Sequence, residues 1–260
     1  MQSLILKTLS IPMQTGSNTK IKLTYAGAST RGPGHKLDNI PNQDAWIFRK
    51  FSWGFVGVVA DGLGSHVHSQ IGSKAVCRAV VKALNIWRQH PDSTVEQLLF
   101  FVHKIWLSEI GRYNPNQCGT TCLFAAGITS QDRLLVGQLG DGIIYVQHEG
   151  TSRVINERQE EYSNLTNSIH RSETTNWICE RFNMNGKMIR LLLATDGISE
   201  DLIQSRISDF VDYVDSGAMQ KKTQIEKNQY IKRMQLEWPT PMHSDDKTLL
   251  MIKVGDQNAI

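Results

Sequence analysis

The apolar residues of this chain change their spacing four times, and that order of periods restricts the folds open to it. Three short runs come first, LTYAGAS, DAWIFRK and WGFVGVVAD. They are rich in β-branched and aromatic residues and separated by turn formers, which predicts strands. From about Ser69 to His90 the spacing turns helical, with Ile71, Ala75, Val76, Ala79, Val80, Ala83 and Leu84 on one face. Asp92-Ser93-Thr94 then reads as a helix start, and Val95, Leu98, Leu99, Val102, Ile105 and Trp106 mark a second amphipathic helix. Strand character returns at TTCLFAAGI, RLLVGQLGD and IIYVQHEG, which read as an antiparallel meander. Residues 156–188 are polar and read as a mobile excursion. IRLLLATDG is a buried strand, helical stretches follow near Ser199–Val214 and Thr223–Leu236, and TLLMIKV closes the pattern. Antiparallel sheets with helix pairs segregated onto their outer faces satisfy this order. The alternating strand–helix order of a parallel doubly wound sheet is missing.

The chain has 260 residues, 40% of them hydrophobic and 20% charged, with no repeat and no Pro/Gly/Ser-rich linker. One core at this length buries roughly 70–75% of the unfolded surface, so disorder is excluded as the main state. A single domain is expected over residues 21–256, preceded by an extension, 1–20, that ends in QTGSNTK. The net charge of +3 predicts no nucleic-acid footprint. No apolar run approaches the roughly 18–20 residues that span a bilayer, so no membrane partner is expected. The first residues lack a basic start and a small-residue cleavage site, and read as mature protein. Cys118 and Cys122 invite a zinc or disulfide reading. Four steps along a strand cover about 13 Å, however, beyond a disulfide's reach. Together with Cys77 and Cys179 they read as small buried side chains in a reduced, cytoplasmic protein.

The informative feature is the placement of carboxylates. Asp61, Asp141 and Asp196 each follow an apolar strand and precede glycine, in VVADG, GQLGDG and LLLATDG. Asp245 and Asp246 stand immediately before the last strand. One Asp-Gly after a strand is ordinarily a turn. Three of them, with an Asp-Asp before a fourth strand, would crowd one rim with negative charge unless cations sat between them. Oxygen ligands without a histidine–cysteine cluster favour Mg²⁺ or Mn²⁺ over Zn²⁺.

Six segments, in order, are GASTRGPGHKLDNIPNQDA, VVADGLGSH, CGTTCLFAAG, LLVGQLGDG, LLLATDGISE and SDDKTLLMIKV. They resemble the motifs of the PPM (type-2C) metal-dependent serine/threonine protein phosphatases, over about residues 22–254. The Arg-Gly-Pro opening is similar to a bacterial branch of that family. The resemblance implies an α+β fold, a four-layer α-β-β-α sandwich of two antiparallel sheets between helix pairs. It implies hydrolysis of phosphoserine and phosphothreonine in proteins by a metal-bridging water, without a phosphoenzyme. It also implies two divalent cations, Mn²⁺ or Mg²⁺, with a weaker third.

By the same resemblance Asp61 bridges the two ions, the Gly62 carbonyl joins the first, and Asp196 and Asp245 complete the second. Asp245 is preferred to Asp246 because the first residue of that motif is the usual ligand. Asp141 serves the third ion, Asp44 contacts metal-bound water, and Arg31 clamps the substrate phosphate with its planar fork of donors. His35, four residues on, is a second candidate for the phosphate. The opposing kinase is expected to be a separate protein.

The chain departs from the family pattern at several points. Gln43 stands where a glutamate is common, Leu63 where eukaryotic members often carry a histidine, and Gly142 where the third-metal motif has serine. His66 is expected to orient the backbone or start a helix, and His170 and Arg171 to be solvated loop residues within a compact flap around 156–188. Trp87, Trp106 and Trp177 are expected in the core or at an interface. Two rival readings share the motifs: a catalytically inactive module that binds phosphoproteins, and a hydrolase of small phosphoesters. Retention of Asp61, Asp196 and Asp245 favours catalysis.

Overall fold

Gly54–Ala60 is buried at every position, which a strand achieves only when both faces are covered. The computed structural model describes residues 21–90, 93–156, 166–171, 174–184, 187–239 and 244–256. The expected extension 1–20 lies outside them. Gly54–Ala60 (β3) belongs to a five-stranded antiparallel sheet. Its spatial order is β2 (Ala45–Phe51), β3, β4 (Cys122–Ile128), β5 (Arg133–Leu139) and β8 (Ile178–Asn183). The second sheet has the order β1 (Ile21–Thr30), β10 (Lys247–Asp256), β9 (Ile189–Ala194), β6 (Ile143–His148) and β7 (Thr151–Ile155). Its pairs are antiparallel too.

Alternation along each strand sends side chains into two different cores. Phe55, Val59, Leu123 and Ala125 meet Leu191, Leu193, Leu250 and Ile252 between the sheets. From the same strands Val56, Val58, Phe124 and Ala126 face outward onto α2 (Ser69–Trp87) and α3 (Val95–Glu109). On the other side Tyr145, Leu192, Leu249 and Met251 pack against α5 (Ile207–Val214) and α6 (Gln224–Leu236). The result is the four-layer α-β-β-α sandwich. Thr94 and Thr223 start α3 and α6 with capping boxes completed by Gln97 and Glu226, each ending in a side chain that satisfies the helix's first free N–H groups.

Three local expectations need correction. The strands β4, β5 and β6 do not form a meander: β5 pairs with β4, whereas β6 pairs with β9 and β7 in the opposite sheet. Gly140 (φ 84°) and Gly142 (φ 94°) flank Asp141, and two left-handed residues in three turn the chain from one sheet to the other rather than into a hairpin. Residues 156–188 are not wholly an excursion, because β8 within them is the fifth strand of its sheet. Its sequence, ICERFN, is half-buried at best, so it lacks the apolar signature of the inner strands. The stretch 199–214 is not one helix. A turn, α4 (Asp196–Ser199), and a 3₁₀ turn precede α5, which begins only at Ile207.

Leu193 is fully buried between the sheets. Leu193→Ala is expected to lower unfolding free energy by about 2–5 kcal/mol through lost transfer energy and an unfilled cavity. Urea denaturation checks this. A loss below about 1 kcal/mol would mean that the inter-sheet layer is looser than its burial indicates.

Candidate metal centre and active site

Strand register gathers the acidic residues at one rim. Ala45 pairs with Ala60, so Asp44 and Asp61 leave adjacent strands together. Ala194 pairs with both Ile143 and Leu249, so Asp141, Asp196 and the Asp245–Asp246 pair emerge at the same end of the other sheet. Arg31 follows Thr30, the partner of Lys247. Asp61, Asp141 and Asp196 each offer a carboxylate oxygen, and these oxygens lie within 4.8 Å of one another.

Backbone and threonine hydrogen bonds hold this arrangement. Asp61 N donates to Thr121 Oγ1 (2.9 Å), and its carbonyl accepts from Thr121 N (2.8 Å) and Thr120 Oγ1 (2.6 Å). Thr195 N donates to the Thr248 carbonyl (3.1 Å), Thr248 N to Thr195 Oγ1 (3.1 Å), and Thr195 Oγ1 to Asp44 Oδ2 (2.9 Å). Asp196 Oδ1 accepts from Gly197 N (2.7 Å) at the start of α4. Asp141 Oδ2 accepts from Thr166 Oγ1 (3.0 Å), while Asp141 Oδ1 is buried and, among the described residues, has no hydrogen-bond partner. The threonines are the residues that sequence reasoning missed. They stand beside the acidic motifs, but threonine is equally ordinary in any strand.

Burial and mutual repulsion push the carboxyls upward. Desolvation raises Asp44 to about 7, with the Asp246 charge adding to it. Desolvation and then the charges of Asp141, Asp245 and Asp44 raise Asp196 to about 8. Asp61 is driven well above the carboxylate range by burial and by the charges of Asp44, Asp196 and Asp245. Asp141 moves the same way, chiefly by burial. A cluster of oxygen donors with an unpaired buried oxygen and unmet negative charge fits hard divalent cations. Asp61, Asp141 and Asp196 could hold them directly, with Asp245 close enough for its charge to act on all three.

The remaining candidates are placed as follows. Gly62 is buried and bridges Thr120 across the strand ends. Arg31 donates from Nη1 to the Ile40 carbonyl (3.3 Å) and, with Asp245, Lys36 and Trp238, lines a cavity of about 160 Å³. His35 stands against Asp246, with Nδ1 2.9 Å from Oδ2. His66 orients backbone, accepting at Nδ1 from Gly119 N (3.0 Å). His170 is not a solvated loop residue, because its half-buried ring packs edgewise on His66 with centroids 4.8 Å apart. Trp87 and Trp106 are core residues.

Because these carboxyls titrate higher folded than the usual unfolded value near 4, the metal-free fold holds extra protons. Their contribution to stability is complete below about pH 4 and is lost as pH rises through about 7 to 8. Bound cations reverse that loss, so Mn²⁺ or Mg²⁺ is expected to raise the Tm by several degrees more at pH 8 than at pH 6. Calorimetry with metal and with EDTA at both values measures it. An equal shift at the two pH values would contradict the titration.

A family model described as Protein phosphatase 2C matches residues 31–234. No curated protein matches the sequence. Among solved structures, the catalytic domain of the serine threonine protein phosphatase PstP with two manganese ions is 18% identical, with a TM-score of 0.59. That match covers 91% of this chain and 100% of PstP's. RsbX in complex with magnesium is 14% identical with a TM-score of 0.57, covering 91% of this chain and 100% of its own. The S. agalactiae serine/threonine phosphatase is 14% identical with a TM-score of 0.61, covering 89% and 99%. Identities this low carry the fold alone. The family match extends over most of the chain, and the chain belongs to the protein phosphatase 2C family.

Proposed function

We propose that this protein is a metal-dependent phosphatase of phosphoserine and phosphothreonine in proteins. The observation that carries this reading is the convergence of six aspartates from both sheets on one rim, with Arg31 and one of them, Asp245, lining the same cavity. Asp61, Asp196, Asp245 and the Gly62 carbonyl would hold two divalent cations, Mn²⁺ or Mg²⁺, with Asp141 toward a weaker third. When bound, such ions supply Lewis-acid chemistry that polarises phosphoryl oxygens and acidifies water.

The chain's own groups do the rest. Arg31 presents a permanently charged planar fork that pairs with phosphate oxygens and orients the phosphorus for in-line attack. Asp44, held at Oδ2 by Thr195, accepts a proton from water at its carboxylate. Burial pushes the Cys77, Cys118, Cys122 and Cys179 thiols up, Cys179 to about 12. None of them is a ready thiolate for a phosphoenzyme. Among the described residues no helix is long and apolar enough to cross a membrane. The proposed partners are phosphoproteins, made by a separate Ser/Thr kinase, in the cytoplasm.

Hydrolysis of a phosphothreonine peptide with Mn²⁺, Mg²⁺ or excess EDTA tests the reading. Phosphate release is expected with metal only, and Asp196→Asn is expected to reduce it on the order of 10²-fold or more with the fold intact. No release by folded, metal-replete protein on several phosphopeptides would point instead to an inactive phosphoprotein-binding module. Arg31→Ala is expected to raise KM about tenfold, since its fork acts on the phosphate already in the ground state. An unchanged KM would remove Arg31 from the phosphate site.

A further inference from the structure

Asp245 and Asp246 are neighbours, yet their carboxylates are used differently. Asp245 is half-buried, and its Oδ1 accepts from Asp246 N (2.7 Å). Asp246 is 1% exposed. Its Oδ1 accepts from Gly32 N at 2.7 Å, and its Oδ2 from Gln43 N at 2.6 Å. His35 Nδ1 lies 2.9 Å from the same Oδ2. Each partner belongs to a segment that carries a functional side chain: Gly32 follows Arg31, and Gln43 precedes Asp44. Gly34 N also donates to the Ser244 carbonyl (2.9 Å), so the one-turn helix α1 (Pro33–Leu37) rests on the same stretch of backbone. The fit is close enough that a Cβ on Gly32 would stand 2.3 Å from the Asp245 carbonyl carbon.

We propose that Asp246 is a positioning residue, a buried clasp that sets the Arg31 and Asp44 segments relative to each other and to the aspartate cluster. The inference rests on the phosphatase reading for the roles of Arg31 and Asp44. A carboxylate suits the task because it has two acceptor oxygens and no donor, and both face backbone N–H groups. Asparagine has the same shape, but turns an NH₂ toward one of those N–H groups and loses that bond. With both oxygens engaged by the backbone, Asp246 acts on the site through Arg31 and Asp44, while Asp245 would be the member of the pair to hold an ion.

The experiment compares wild type, Asp246→Asn and Asp245→Asn by steady-state kinetics on a phosphothreonine peptide across a Mn²⁺ titration. Amide hydrogen exchange by NMR follows on the metal-free proteins. Protected Gly32 and Gln43 amides are expected in wild type, and lost protection at one of the two in Asp246→Asn, the one that meets the side-chain NH₂. The same variant is expected to show a KM raised about tenfold with a smaller change in kcat. Its Mn²⁺ concentration at half-activity should stay within about twofold of wild type, whereas Asp245→Asn shifts it. Native KM and kcat in Asp246→Asn would overturn the proposal, as would a Mn²⁺ shift equal to that of Asp245→Asn, which would make Asp246 a ligand. Should Asp246→Asn not fold, wild-type Gly32 and Gln43 amides exchanging as fast as that of exposed Ser65 would overturn it equally. A wild type with both amides protected but no turnover would sink the phosphatase reading and leave the clasp. Calorimetric binding of the same phosphopeptide, tenfold weaker in Asp246→Asn, then carries the comparison.

Discussion

Asp61, Asp141 and Asp196 bring oxygens within 4.8 Å of one another, and fully charged carboxylates at that range repel by on the order of 3 kcal/mol per pair near a protein surface. The fold has to hold them there against that force. It does so through the backbone: Asp61 is tied to Thr120 and Thr121, Asp196 follows a threonine paired with Thr248, and Asp141 is fixed between two left-handed glycines. Bringing such groups together in a single flexible loop would let them swing apart. On the ends of paired strands they cannot separate without breaking the ladders.

Two sheets are needed because one sheet would spread the residues along a line. Strands from both layers end at the same rim, so the acids close on a point from opposite sides. The inter-sheet layer of Phe55, Val59, Leu191, Leu193 and Leu250 fixes the distance between those sides. Side chains at a remove from the cluster thereby set its width. The same logic governs the segments that lie outside the strands. Arg31 and Asp44 are on connections, and it is a buried carboxylate at the start of β10 that ties their backbones in.

Sequence patterning exposed the inner architecture well. Apolar runs marked β3, β4, β5, β9 and β10, helical spacing marked α2 and α3, and Thr94 and Thr223 marked helix starts. The Asp-Gly pairs pointed to the rim because an acid directly after a buried strand has few other places to go. What sequence hid was whatever depends on tertiary context. ICERFN carries a strand's hydrogen bonds without a strand's hydrophobicity. Gly140-Asp141-Gly142 looks like a hairpin turn until the sheet to which β6 returns is known. Of the adjacent Asp245 and Asp246, nothing local says which is buried under backbone donors. His35 looked like a phosphate contact from its distance in sequence to Arg31, and its neighbour in space is Asp246.

The polarity that concealed β8 has a consequence for solubility. An open sandwich has four outermost strands, and each presents unpaired backbone groups on which a second molecule could add a strand. Here β8 carries Glu180 and Arg181, β7 carries Arg153, which pairs with Glu180 at 2.8 Å, and β2 carries exposed Arg49 and Lys50. Along β1, α6 fills the gap, with Asn228 accepting from Gly27 N and Gln224 and Gln235 donating to the Tyr25 and Ala28 carbonyls. Charges on three borders and a helix on the fourth discourage edge-to-edge growth, so a sheet pair built from almost wholly apolar inner strands need not polymerise.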